Sequence, residues 1–332
     1  MRKLTAFAVV AAAAAAFIAI PAAANPRGAE GRIAYSRENP ALGDEWVYTA
    51  NPDGTHEQLL STTPGEGPEW SPDGTLVKFN PHVDPDGSVA AVIVNPDTGA
   101  RHDLTNPDPA RFNGVFCGPW SPDGVQLACD AQSWDIDPTL NGIYTIRSSD
   151  GGGLQRITAN PYGEDDPTDY APNGKQLVFL RANFSDPNNI VFGLFTVKLD
   201  GSDIRQLTPP GMELNFEPAR WSPQGNEIVF SAHTPDGSYR SSLWVVHSDG
   251  TGLHQLPVQG CGGSFSDPSS IGCVHPDWSP DGQKIIFTRF SAATGDRDVY
   301  TVNADGGGLT QITDTPTASE GLPNWGTHPL LP

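Results

Sequence analysis

Five times the chain writes an aromatic residue, then Ser or Ala, Pro, a polar residue and Gly. The copies are Trp70-Ser71-Pro72-Asp73-Gly74, Trp120-Ser121-Pro122-Asp123-Gly124, Tyr170-Ala171-Pro172-Asn173-Gly174, Trp221-Ser222-Pro223-Gln224-Gly225 and Trp278-Ser279-Pro280-Asp281-Gly282. A broken sixth copy, Asn324-Trp325-Gly326-Thr327, lies near the C-terminus. The aromatics stand 50, 50, 51, 57 and 47 residues apart. A repeat of that period marks a propeller or solenoid, because each unit is one supersecondary element that must stack on its neighbours to bury its faces.

The phrase itself encodes a turn. Proline presets the first corner, the polar residue takes the second, and glycine supplies the left-handed residue that closes a hairpin. A β-prone run follows each copy, at Leu76–Phe79, Gln126–Cys129, Gln176–Leu180, Glu227–Ser231 and Lys284–Thr288. A second phrase, a Gly turn followed by Leu or Ile and usually Thr, comes later in each unit. Its copies run from Asp53-Gly54…Leu59 through Asp97-Thr98-Gly99…Leu104-Thr105, Asp150-Gly151…Ile157-Thr158, Asp200-Gly201…Leu207-Thr208 and Asp249-Gly250…Leu256 to Asp305-Gly306…Ile312-Thr313. Strand-like runs such as Trp46–Thr49, Ile143–Ile146, Leu194–Val197, Leu243–Val246 and Val299–Val302 precede them. Each unit therefore reads as four hairpin-joined strands, which is one propeller blade. Six second phrases predict an all-β, six-bladed propeller. Arg32–Tyr35 matches a second strand and Leu322–Thr327 a first strand, so the C-terminal strand is expected to complete the N-terminal blade and close the ring.

The N-terminus has a different character. Arg2 and Lys3 precede an apolar run from Ala6 to Ile20, then Pro21 and Ala22-Ala23-Ala24. This is the pattern of a secretory signal peptide over residues 1–24, with a short linker at 25–31 and the propeller over 32–332. Its loss leaves 17 basic against 39 acidic residues, a net charge of −22. Such a surface disfavours nucleic acid and favours cations, basic peptides or neutral ligands. No second long apolar run argues for a membrane span. The four cysteines fall into two neighbourhoods, Cys117 with Cys129 across a predicted hairpin, and Cys261 with Cys273 around a Gly/Ser-rich loop. In an exported chain these are expected as two local disulfides, and neither pair has zinc-site spacing.

The repeated phrases resemble those of the TolB-like propellers, often described as WD-repeat-like, over residues 32–327. The resemblance implies fold more strongly than function, since propellers host many activities. The α/β domain that TolB carries before its propeller has no counterpart here, and there is no Gly-x-Ser-x-Gly elbow of the prolyl-oligopeptidase-type relatives.

Propellers run the first strand of each blade along a central channel. Four residues before each aromatic stand Glu66, Phe116, Asp166, Glu217, Val274 and Gly321, with Asp165, His275 and Glu320 one position away. The expectation is an acidic channel mouth with ligand-binding candidates Glu66, Asp165, Asp166, Glu217, His275 and Glu320. The resemblance implies a protein segment bound at such a mouth. The repeated Asp residues are read as turn residues and the repeated Trp residues as packing between blades. Asp84-Pro85-Asp86-Gly87 begins like a calcium loop, but Asn95 stands where the twelfth-position Glu belongs. His82 and His233 fall in loops with no partners placed. No catalytic motif stands out, so no catalytic residue is assigned, and no cofactor is expected beyond a channel-bound metal ion as an option. The reading is an exported, periplasmic or extracellular, monomeric binding or scaffold protein with a protein partner or small ligand at the mouth. The alternative is a propeller enzyme, a polysaccharide lyase or a hydrolase or lactonase, using the same mouth.

Overall fold

The computed structural model of the chain describes residues 30–39, 41, 43–82, 88–186, 191–214, 218–233, 241–262, 271–291, 294–315 and 318–332. The leader read at 1–24, the calcium-like segment from Asp84 and the site candidate Glu217 lie outside these residues.

Twenty-four strands form six antiparallel four-stranded sheets. Blade 1 holds β1 (Ile33–Asn39), β2 (Asp44–Ala50) and β3 (Gln58–Leu59). Blade 2 is β4 (Gly65–Trp70), β5 (Val77–Pro81), β6 (Val89–Val94) and β7 (Arg101–Thr105). Blade 3 is β8 (Gly114–Trp120), β9 (Gln126–Gln132), β10 (Gly142–Arg147) and β11 (Gln155–Arg156). Blade 4 is β12 (Gly163–Tyr170), β13 (Gln176–Asn183), β14 (Val191–Lys198) and β15 (Arg205–Gln206). Blade 5 is β16 (Arg220–Trp221), β17 (Glu227–His233), β18 (Ser241–His247) and β19 (His254–Gln255). Blade 6 is β20 (Ile271–Trp278), β21 (Lys284–Ser291), β22 (Arg297–Asn303) and β23 (Thr310–Gln311). The last strand, β24 (Glu320–Trp325), pairs with β1 as the inner strand of blade 1. The ring closes as the sequence predicts. Past Trp325 the contact continues, with the Gly326 amide donating to the Arg32 carbonyl at 3.0 Å.

The repeated phrases act as read. In Ser71–Gly74 the Gly74 amide donates to the Ser71 carbonyl at 2.8 Å, and Gly74 sits at φ 71°. Ser71 donates to Asp73 Oδ1 at 2.6 Å and accepts from the Leu76 amide at 2.9 Å, so the turn is internally satisfied. The Thr of the second phrase caps its own blade. Thr158 Oγ1 accepts from the Ile143 amide at 2.9 Å, and Thr313 Oγ1 accepts from the Val299 amide at 2.9 Å.

The core lies between blades. Six buried clusters each join two adjacent sheets, and each contains one phrase aromatic: Trp70, Trp120, Tyr170, Trp221, Trp278 or Trp325. A blade alone cannot bury both of its faces, so the aromatic acts as a wedge into its neighbour. Two disulfides brace inner strands: Cys117–Cys129 joins β8 to β9, and Cys261–Cys273 ties the loop after β19 to β20. Among the described residues no helix is long and apolar enough to cross a membrane.

Trp325→Ala removes the wedge of the joint between blades 6 and 1, and is expected to cost about 3–5 kcal/mol in denaturant unfolding. Replacing Cys117 and Cys129 together by Ala is expected to cost about 2–4 kcal/mol in the same assay.

Candidate functional site

Successive side chains of a strand point to opposite sides. Each phrase aromatic enters an interblade cluster, so its predecessor turns away from that cluster. The six predecessors are Glu69, Pro119, Asp169, Arg220, Asp277 and Asn324, and all six line one cavity of about 150 Å³ on the channel axis. The phrase aromatics and the turn prolines form its wall, so it lies at the turn end of the inner strands.

The floor of this cavity is a charged network. Arg220 donates to Glu69, which sits three blades away across the lumen, and to the Thr168 carbonyl. Lys78 donates to the Cys117 carbonyl at 2.9 Å and lies 3.9 Å from Glu69. Asp169 accepts from the amides of Tyr170 at 2.8 Å and Trp221 at 2.7 Å. Asp277 accepts from the amides of Trp278 at 2.9 Å and Trp325 at 2.8 Å. Asn324 accepts from the Trp70 amide at 2.7 Å and donates to Asp277 at 2.9 Å. These side chains therefore pin three aromatics, Trp70, Trp221 and Trp325, to the preceding blade as well as furnishing charge.

A second tier lies along the same channel. Asp166 couples electrostatically to Lys78, Arg220, Glu69 and Glu164, and Asp130 couples to Asp166 and Glu164. Asp130 takes a 2.6 Å bond from Gln132 on Oδ2, while its buried Oδ1 has no hydrogen-bond partner. Among the described residues, four carboxyl groups (Glu69, Asp166, Asp169 and Asp277) thus share two cations, Lys78 and Arg220, while Asp130 and Glu164 add negative charge near Asp166. Burial pushes Asp169 up to about 7, and Asp277 and Glu69 add to the rise against the pull of Arg220. Burial and then Glu164 push Asp166 up to about 7, against Arg220 and Lys78. Burial lifts Asp277 to about 6. Glu69 differs: burial opposes its ionisation, but Arg220 and Lys78 hold it below the usual range.

The residues expected from sequence separate into three groups. Asp166 joins the channel network. Asp165 and Glu320 are fully buried, and each takes an Arg of its own blade and a Thr of the preceding blade as partners. Arg181 donates to both oxygens of Asp165, at 2.7 and 2.6 Å, and Thr158 donates to it at 2.6 Å. Arg37 donates to Glu320 at 2.6 Å. Both acids occupy the same position, five residues before the aromatic, and face an Arg on the second strand of their blade. Glu66 and His275 lie at the strand-start end. His275 stands at φ 52°, with its Nδ1 3.3 Å from Thr288 Oγ1, and Glu66 lies beside His82. Phe116, in the same ring, is 53% exposed.

Sequence reading missed Glu69, Asp169, Arg220, Asp277 and Asn324. The signal was their shared place directly before the aromatic. Counting back four residues ignores the β-bulges that the inner strands carry at this point, between Glu66 and Glu69, Pro167 and Asp169, and Val274 and Asp277. Each bulge shifts which side chain faces the lumen.

A carboxyl whose pKa is raised on folding holds an extra proton in the folded state between its unfolded and folded values. Its contribution to stability is present at low pH and fades as pH rises through the folded value. Wild-type protein is therefore expected to lose stability relative to Asp166→Asn between about pH 4 and pH 7, read from denaturant midpoints. A constant gap between the two curves would contradict the assignment.

Neither a protein-family model nor a curated protein sequence matches the chain. Solved structures do match in fold. TolB from Acinetobacter baumannii aligns at 20% identity and TM-score 0.64, over 89% of this chain and 66% of that one. A putative TolB from Agrobacterium tumefaciens aligns at 19% identity and TM-score 0.60, over 89% of this chain and 98% of that one. Oligogalacturonate lyase from Vibrio parahaemolyticus aligns at 15% identity and TM-score 0.53, over 82% of this chain and 72% of that one. Six four-stranded blades closed by the last strand, together with these alignments, give the chain the TolB-like propeller fold.

Proposed function

We propose that this propeller is an exported binding module that takes a cationic protein segment, led by a Lys or Arg side chain, into its acidic channel. The observation that carries the reading is the surplus of channel carboxyls, four around two cations. Carboxyls crowded in a low-dielectric channel focus negative potential and attract cations. An entering guanidinium or ammonium would supply the counter-charge that burial denies them, and would release protons from Asp166 and Asp169. At the strand-start end, the exposed Phe116 offers an apolar anchor beside the carboxylates, a pairing that suits a peptide. The two disulfides fit an oxidising compartment, in keeping with the leader read at residues 1–24. The negative channel disfavours a polyanionic sugar, which favours binding over the lyase alternative.

A tri-arginine peptide serves as the probe, with tri-glutamate as control, in calorimetry at low ionic strength. Binding of the cationic peptide is expected to tighten as pH rises from about 5 to about 8, to release protons, and to weaken with salt. Asp166→Asn combined with Asp169→Asn is expected to weaken it about tenfold or more. Equal affinity for both peptides, or indifference to the double substitution, would overturn the proposal.

A further inference from the structure

Between blades 1 and 2, away from the charged floor, three side chains from separate strands meet. Glu45 comes from β2, Glu66 from β4, and His82 follows β5 directly. One potential ligand atom from each lies within 4.8 Å of the others. His82 points Nε2 at Glu66, 3.6 Å from Oε1. Its Nδ1 lies 2.7 Å from Asp44 Oδ1. With Nδ1 turned to Asp44, Nε2 is the ring nitrogen that faces the glutamate pair. A carboxylate behind a histidine is the usual way a metal-binding imidazole is oriented and made more basic.

We infer that Glu45, Glu66 and His82, oriented by Asp44, bind a divalent transition ion that ties blade 1 to blade 2. One imidazole nitrogen with two carboxylates is a donor set for zinc-like ions, whereas calcium and magnesium prefer all-oxygen shells. Glu66 and His82 are partly exposed, so an ion can reach the three donors from solvent. Three protein donors leave coordination positions for water or for a ligand at the strand-start rim of the channel. The bond would reinforce blade 1, the blade assembled from both ends of the propeller and the one whose closure holds the ring.

The test is Zn²⁺ titration of the metal-stripped protein by calorimetry, with thermal unfolding on the same samples. The expected result is one equivalent bound and a rise in Tm, both unaffected by a large excess of Ca²⁺. His82→Ala and Glu66→Gln are each expected to abolish the Tm rise, while Asp44→Asn weakens binding about 10–100-fold without abolishing it. His233→Ala, remote in sequence and placed in blade 5, is expected to leave binding unchanged. Cobalt substitution gives an optical spectrum that reports the imidazole directly, and this signal should vanish with His82→Ala. Absence of stoichiometric binding, or stoichiometric binding that survives both His82→Ala and Glu66→Gln, would overturn the inference. Channel substitutions such as Asp166→Asn should leave zinc binding intact, so its outcome is independent of the peptide-binding reading.

Discussion

A four-stranded blade has two apolar faces and can cover neither by itself. The six buried clusters of this protein all lie between sheets, so no blade has a core of its own. Every other feature follows from that constraint. The aromatic wedge must sit at the same place in each unit, which explains its regular recurrence. The ring must close, which explains why β24 returns to pair with β1. The outer strands are two residues long in five blades and present little edge to other chains.

The same constraint produces the chemistry of the channel. Once each aromatic is committed to an interblade cluster, the preceding residue is committed to the axis. At that place the sequence supplies Glu69, Asp169, Asp277, Arg220 and Asn324. Arg220 spans the lumen to Glu69 and anchors a network in which most groups also bind a backbone amide of an aromatic. Structural and electrostatic roles are thus merged. The network holds blades together, yet it remains short of positive charge, and burial keeps several carboxyls protonated near neutrality. A site built this way is ready for an incoming cation, because a buried carboxyl gains more from a partner than an exposed one does.

The fold was legible because its signals are local. Each Ser-Pro-Asp-Gly turn satisfies its own hydrogen bonds within six residues, and the repeat period then fixes the blade count. The site was legible only in part. Asp166 was named from its place in the ring and lies in the channel network. Asp165 and Glu320 were named beside it, and their Arg partners stand at the same point of the neighbouring strand in both blades, which an alignment of the units would show. Lys78 could not be read as a channel group, since a Lys between Val77 and Phe79 looks like the exposed side of a strand, yet it is almost fully buried. The Asp44–His82 contact joins residues 38 apart on different blades, and no local pattern announces it. For Lys78 and for the Asp44–His82 contact the missing information was which blades meet, a non-local property.

The claim on which the functional account rests is that the channel holds carboxyl groups lacking counter-charge. The most direct measurement is a side-chain carboxyl titration by ¹³C NMR on aspartate-labelled protein, assigned with Asp166→Asn and Asp169→Asn. The account predicts midpoints near 7 for these two groups in the free protein. Both midpoints should move down when tri-arginine is added. Midpoints in the ordinary aspartate range of about 4, or midpoints that ignore the peptide, would contradict it.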